Sequence, residues 1–426
     1  RVNALEAAMT TFVIVGGGLA GAKAAETLRA EGFDGEVVLF GDETERPYER
    51  PALAKGYLLG KDERDSVFVH PADWYPQHSV DLRLSAPVTS INRAARTIAF
   101  DGGRLSYDKL ALTTGASARK LAIPGADLGN VFYLRTLEES DTLRAAFTPD
   151  TRVVIVGAGW IGLESAAAAR QAGSSVTVVE PQPGALYGVL GPELGEKFAA
   201  LHREHGVVFR FGESSTAFRP AEVSGQLPAS GDSREGWPVG WVITSSGAEL
   251  PADVVVVGIG AVPNDGLAQA AGLDVDNGVL TDAALRTSDA DIFAAGDVAN
   301  SYLPLLGRHV RLDHWANALH GGQEVARSML GQRVEYNRVP YFYSDQYDLG
   351  MECSGLPLPG SYDQVLYRGD KDGYEFIACW LNQGRLVAGM NVNVWDVTGD
   401  IQSLIRSARQ LDPARLANPA IPLSDV

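Results

Sequence analysis

The segment Phe12-Val13-Ile14-Val15-Gly16-Gly17-Gly18-Leu19-Ala20-Gly21 decides how the rest of the chain is read. Four apolar residues run into glycines at 16, 18 and 21, the pattern of a strand turning tightly into a helix. Gly16 serves the turn, Gly18 lets backbone N–H groups close on a pyrophosphate, and Gly21 lets the helix approach the sheet. A second apolar strand, Val37-Val38-Leu39-Phe40, leads to Asp42, 21 residues beyond Gly21 (42 − 21), where a carboxylate for a ribose hydroxyl belongs. The pattern recurs. Val153-Val154-Ile155-Val156 precedes Gly157, Gly159 and Gly162, and Val176-Thr177-Val178-Val179 ends in Glu180. Strand, glycines, helix and acid agree twice, so the chain is expected to bind two dinucleotides. Glu180, with no arginine close by in sequence to receive a 2′-phosphate, favours NADH over NADPH.

Composition bounds the remainder. A chain of 426 residues, 45% hydrophobic, suggests about three domains. With 36 basic against 53 acidic residues the net charge is −17, which argues against a nucleic-acid or anionic-membrane partner. No apolar run approaches the ~20 residues of a membrane span, and no signal peptide is evident, so a cytoplasmic setting is the default expectation. Residues 1–8 precede Met9, which reads as a natural start, and are expected to be vector-derived or disordered. The two cysteines, Cys353 and Cys379, lie far from both glycine loops and form no CxxC, so neither is expected to be a redox thiol.

Taken in order, residues 9–118 read as the first half of a dinucleotide-binding domain, with a loop at 42–61 whose prolines and charges suit a ligand-wrapping segment rather than a helix or strand. Val88, after Pro87, is placed to offer backbone groups to an adenine, and Leu110 to Ala116 forms a buried strand whose small-residue end, with Thr114 and Gly115, lets backbone approach a cofactor. Residues 119–250 form the second dinucleotide-binding domain, including a Gly/Pro/Ser-rich hairpin loop at 219–240 that is expected to be mobile. The first domain resumes over 251–328, where Asp297 follows a strand and glycine. Residues 329–426 form an antiparallel C-terminal domain, with strands at 341–343, 364–368, 374–381 and 386–392 and a helix near 400–410.

Over nearly its whole length the sequence resembles the FAD-dependent NADH:ferredoxin reductases of bacterial oxygenase systems, the putidaredoxin reductase and aromatic-ring dioxygenase reductase group to which apoptosis-inducing factors are related. The resemblance rests on Pro47-Tyr48-Glu49-Arg50-Pro51-Ala52-Leu53-Ala54-Lys55, Tyr133-Leu134-Arg135-Thr136-Leu137-Glu138, Gly159-Trp160-Ile161-Gly162-Leu163-Glu164, Gly258-Ile259-Gly260-Ala261-Val262-Pro263-Asn264, Leu285-Arg286-Thr287-Ser288-Asp289 and Phe342-Tyr343-Ser344-Asp345-Gln346-Tyr347-Asp348. It implies an α/β, glutathione-reductase-like fold with two Rossmann-type domains and a C-terminal α+β domain. It implies FAD on Gly16, Gly18, Ala20, Gly21, Asp42, Arg50, Lys55, Val88, Arg135, Asp297 and Trp315, with Trp315 against the flavin ring. NADH is implied on Gly157, Gly159, Ile161, Gly162, Glu164, Glu180 and Gly260. Lys55 and Glu164 become the catalytic ion pair at the flavin, and His314 is structural. The implied partner is a two-iron, two-sulfur ferredoxin feeding a haem or non-haem iron oxygenase, with Arg308, Arg311 and Arg327 as docking candidates. Tyr343, Ala52 and Ala54 depart from residues usual in the family. A slow, redox-sensing flavoprotein like the apoptosis-inducing factors, or an NADH oxidase, are the alternative activities.

Overall fold

The computed structural model describes residues 9–222 and 236–426. The expectations for residues 1–8, and for 223–235 within the 219–240 loop, lie outside the described residues. The chain divides into two compact units. The first takes Arg1–Glu49, Arg64–Ser117 and Ala261–Pro340, and the second takes Arg50–Glu63, Ala118–Gly260 and Tyr341–Val426.

The first unit is built on a five-stranded parallel sheet in the order Ile292–Ala294, Lys109–Leu112, Thr11–Val15, Glu36–Phe40, Val80–Arg83. Its strands are continuous apolar runs because both faces are covered. Phe12, Ile14, Val37, Leu39 and Phe293 face a layer that includes the helices Leu19–Ala30 and Trp315–Met329. Val13, Val15, Val38, Phe40 and Leu112 face Ile91 and Ile98 of a small antiparallel sheet. Each such side chain taken fully from water contributes about 1.5–3 kcal/mol.

The second unit repeats the design. Its parallel sheet runs Val208–Phe211, Ser175–Glu180, Arg152–Val156, Val254–Val257, Val131–Phe132. The return to the first domain, expected at 251, therefore differs from the sheet pairing: Val254–Val257 hydrogen-bonds to Val153–Val156, and the first unit resumes only at Ala261. A fully apolar Val-Val-Val-Val strand fits the centre of either sheet, so its sequence does not choose. The described flanks of the 219–240 loop, Ser215–Pro220 and Val239–Thr244, do pair as an antiparallel hairpin.

The same unit carries a five-stranded antiparallel sheet in the order Tyr341–Gln346, Leu349–Gly355, Arg385–Val392, Glu375–Asn382, Gln364–Asp370, with the helix Thr398–Ser407 packed on it. Sequence reading missed the strand Leu349–Gly355. Its Gly350, Ser354 and Gly355 weaken β propensity, yet it pairs on both sides and its Met351 and Cys353 are fully buried. The 42–61 loop is also more regular than expected, with a 3₁₀ turn at Arg50–Ala54 that buries Leu53 and Ala54.

Candidate functional site

The two glycine loops have matching geometry. Gly16 and Gly157 have φ of +125° and +103°, and a Cβ on either would fall 2.1 Å from the Thr113 carbonyl oxygen or 2.3 Å from that of Gly258. Only glycine fits both the dihedral and the space. Gly21 and Gly162 stand equally close to the carbonyls of Gly16 and Gly157, at 2.2 and 2.1 Å from an added Cβ. Gly18 and Gly159 differ: a Cβ there would meet nothing within 4 Å. Each is the N-cap of its helix, Leu19–Ala30 or Trp160–Gln171, and neither helix start receives a side-chain cap. Orphan N–H groups beside open space suit a pyrophosphate, so the residues present fit a dinucleotide in each loop.

In the first unit most of the expected FAD residues converge at the carboxyl ends of the sheet. Ala20 lies against Gly296, where an added Cβ would be 3.1 Å from the Ala20 Cβ, and this places Asp297 beside the glycine loop. The backbones of Gly17 and Gly41 touch, setting Asp42 next to that loop, and Ala86 N–H donates to Gly41 O at 2.9 Å, bringing Val88 to the same edge. Thr114 and Gly115 are held by Asn264, a residue not singled out from sequence: Thr114 Oγ1 donates to its carbonyl and its side-chain amide donates back to Thr114 O, both at 2.8 Å. Trp315 heads its helix half-buried, with Nε1 donating to Glu49 Oε2 at 3.1 Å. His314 before it is half-buried, and desolvation pushes its imidazole down to about 4, which suits a structural histidine.

The remaining expected FAD residues, Arg50, Lys55 and Arg135, belong to the second unit. Arg50 Nη1 donates to the Arg135 carbonyl at 2.5 Å. Arg135 precedes the helix Leu137–Ala146, whose start is closed by a capping box of Thr136 and Glu139. Ser140 of that helix donates to Leu53 O at 2.9 Å, which fixes the 3₁₀ turn preceding Lys55. Lys55 Nζ then meets Glu164 Oε1 at 2.5 Å, with side-chain exposures of 14% and 3%. Glu164 lies one turn into the helix begun by the second glycine loop. Burial pushes its carboxyl above the usual range against the opposing pull of Lys55 and Ser344, whose Oγ donates to the same oxygen at 2.6 Å.

At the second loop Glu180 accepts from Ala158 N–H at 2.7 Å and from Gln182 N–H at 2.8 Å. Ile161 stands 43% exposed on the first helical turn, and Gly260 has φ of +100°. The reading that no arginine lies near Glu180 is amended by the fold, because the neighbouring strand sets Arg210 opposite Val179. That arginine is engaged by Glu213 at 2.9 Å. Among the docking candidates, Arg311 is paired with Asp313 and Arg327 with Glu31 and Glu324, which leaves Arg308 as the exposed one of the three. Cys353 and Cys379 are buried in the C-terminal sheet, and burial pushes both thiols up to about 12, so neither is a thiolate nucleophile near neutral pH. Among the described residues there is no cluster of metal-ligating side chains and no helix long and apolar enough to cross a membrane.

Comparison with known proteins identifies the family of the chain. Residues 10–322 match the pyridine nucleotide-disulphide oxidoreductase family and residues 341–426 match the reductase C-terminal family. The ferredoxin–NAD(+) reductase component of the anthranilate 1,2-dioxygenase system of Burkholderia cepacia is 41% identical, over 97% of this chain and 98% of that one. Putidaredoxin reductase of Pseudomonas putida is 35% identical over 97% and 96% of the two chains. The crystal structure of the covalent putidaredoxin reductase–putidaredoxin complex superposes with a TM-score of 0.91 at 35% identity, covering 97% of each chain. By its two glycine cradles, its sheets and these matches, the chain belongs to the pyridine nucleotide-disulphide oxidoreductase family.

Proposed function

We propose that this protein is an FAD-dependent NADH:ferredoxin reductase that supplies a bacterial oxygenase system. The observation that carries the reading is the pair of glycine loops of one geometry, each opening on an uncapped helix start. FAD, when bound, supplies the conversion of a two-electron hydride into single electrons. The first loop, with Asp42, Val88, Thr114, Gly115, Asp297 and Trp315, would hold it. The second loop, with Ile161, Glu180 and Gly260, would hold NADH. Glu180 keeps acceptor capacity for a ribose 2′-hydroxyl and would repel a 2′-phosphate. Lys55 would favour negative charge arriving on the flavin, while Glu164 fixes the ammonium group and orients the nicotinamide. Each NADH gives up a hydride, equivalent to two electrons and a proton, and two one-electron ferredoxins are needed to complete the balance.

The family name includes disulphide chemistry, but neither cysteine suits it here. Both are fully buried, and both are held as neutral thiols. The electron acceptor is therefore sought outside the chain. The relatives named as ferredoxin reductase components support a ferredoxin in that role, and its two-iron, two-sulfur type is what the family resemblance implies. A cytoplasmic setting fits this reading, because NADH is regenerated inside the cell.

Anaerobic stopped-flow of the FAD-loaded protein tests it. NADH should reduce the flavin at least about tenfold more efficiently than NADPH, and a two-iron ferredoxin added next should bleach as it accepts electrons. Flavin that stays oxidised with NADH, or reduced flavin from which no ferredoxin takes electrons, would reject the proposal.

A further inference from the structure

Ser344 and Gln346 lie two apart on the strand Tyr341–Gln346, so the pleat sends both side chains to one face, and both are 1% exposed. There they join a continuous line of hydrogen bonds that begins at Glu164. Ser344 Oγ is 2.6 Å from Glu164 Oε1, and Gln346 Nε2 is 3.1 Å from Ser344 Oγ. Gln346 Oε1 is 2.8 Å from Nε2 of His202, a fully buried residue of the helix Tyr187–Glu204. His202 Nδ1 lies 3.3 Å from the hydroxyl of Tyr347, whose ring stacks on His205.

The donor inventory gives this line a direction. Lys55 has only hydrogens to offer, so Glu164 Oε1 accepts from it. An ionised carboxylate only accepts, so the single Ser344 hydroxyl proton also goes to Glu164, and the Ser344 oxygen accepts from the Gln346 amide. The Gln346 carbonyl then faces His202, whose Nε2 must carry the hydrogen. His202 Nδ1 is left as the acceptor for Tyr347. Every donor in the line points toward Glu164.

We propose that Ser344, Gln346 and His202 are positioning residues for Glu164, forming a buried, one-directional hydrogen-bond chain that keeps its carboxylate ionised and aimed at Lys55. Burial alone favours the neutral acid, and Asp345, the other carboxyl felt by Glu164, pushes the same way. Lys55 and Ser344 oppose them. Hydrogen bonds in series polarise one another, so Gln346 and His202 strengthen the proton that Ser344 offers. A glutamine suits position 346 because an amide accepts from an imidazole and donates to a hydroxyl at once, which neither a carboxylate nor an aliphatic side chain does. His202 is kept neutral by burial, its imidazole held at about 4, and so stays a one-donor, one-acceptor link. The consequence for electron transfer rests on the role proposed above for Lys55 and Glu164; the chain itself does not.

Two measurements on the FAD-loaded protein test it. In a pH titration followed by infrared difference spectroscopy, the protonated-carboxyl band of Glu164 is identified by its loss in Glu164→Gln. Ser344→Ala should raise the midpoint of that band by about one pH unit, Ser344→Thr should restore it, and Gln346→Leu should raise it by about half a unit. An unchanged midpoint in Ser344→Ala overturns the proposal. Nitrogen NMR of the labelled wild-type protein should show His202 as the single Nε2–H tautomer from about pH 5.5 to 8. An Nδ1–H tautomer, or protonation near the ordinary histidine value, also overturns it, and this result stands even if the Ser344 variants fail to fold. Failure of the reductase reading would show separately, as wild-type flavin that NADH does not reduce while both spectroscopic signatures persist.

Discussion

Gly16 and Gly18 are two residues apart in one motif and have opposite constraints. Gly16 is required by the backbone: its φ is +125° and a Cβ would overlap the Thr113 carbonyl at 2.1 Å. Gly16→Ala should cost about 2–4 kcal/mol in denaturant unfolding of the FAD-free protein. Gly18 has an ordinary extended conformation and open space around it. Gly18→Ala should unfold within about 1 kcal/mol of wild type yet bind FAD at least about tenfold more weakly, read as flavin absorbance per protein. A large stability loss in Gly18→Ala would refute this division. Glu164→Gln keeps shape but removes the charge that faces Lys55. It should slow flavin reduction by NADH about 10- to 100-fold while FAD stays bound, and a normal stopped-flow rate would remove Glu164 from the reaction. The two glycines were legible because their spacing is local, whereas the role of Glu164 came only with the family resemblance. Ser344 and His202 were not legible, since the contacts that give them meaning span 180 and 144 residues.

Among the elements, the parallel strands announce themselves as Val- and Ile-rich runs, whereas the strand Leu349–Gly355 is recognisable only from its two partners. Context also sets what Arg368 does. On the strand Gln364–Asp370 it is a charged residue only 8% exposed. Its guanidinium donates to the carbonyls of Leu416 (3.2 Å) and Asn418 (2.5 Å) and also to that of Ile421. Those carbonyls belong to the C-terminal tail, which offers little regular backbone pairing of its own. Arg368→Met should therefore cost about 2–4 kcal/mol, with the donors lost and the carbonyls stranded. Limited proteolysis should cut first within 413–426, and a tail as resistant as wild type would show that apolar contacts at Leu416 and Leu423 hold it instead.

For the whole molecule, acid stability follows from one desolvated histidine in each unit. His202 and His314 have folded-state values near 4 against about 6.5 when unfolded, because burial disfavours the charged ring. The unfolded chain thus binds more protons between about pH 4 and 6.5, and stability must fall as pH falls through that window. The contribution is fully present above about pH 6.5 and is lost progressively down to about pH 4, at up to about 3 kcal/mol for each histidine. Urea unfolding between about pH 8 and 4.5 checks this, and His202→Gln should flatten the slope. A profile that stays level down to pH 5 would contradict it. By itself the sequence determined the two dinucleotide cradles, the acids that follow them and the antiparallel character of the last segment. Each is written in short-range spacing, where a dihedral or a side-chain alternation fixes the residue type. The tertiary structure alone decided where 251–260 pairs, that Arg327 is engaged by the distant Glu31, and that a line of hydrogen bonds runs from Glu164 to His202. Those outcomes depend on residues far apart in the chain arriving within 3 to 4 Å of one another, and no local pattern encodes such an encounter.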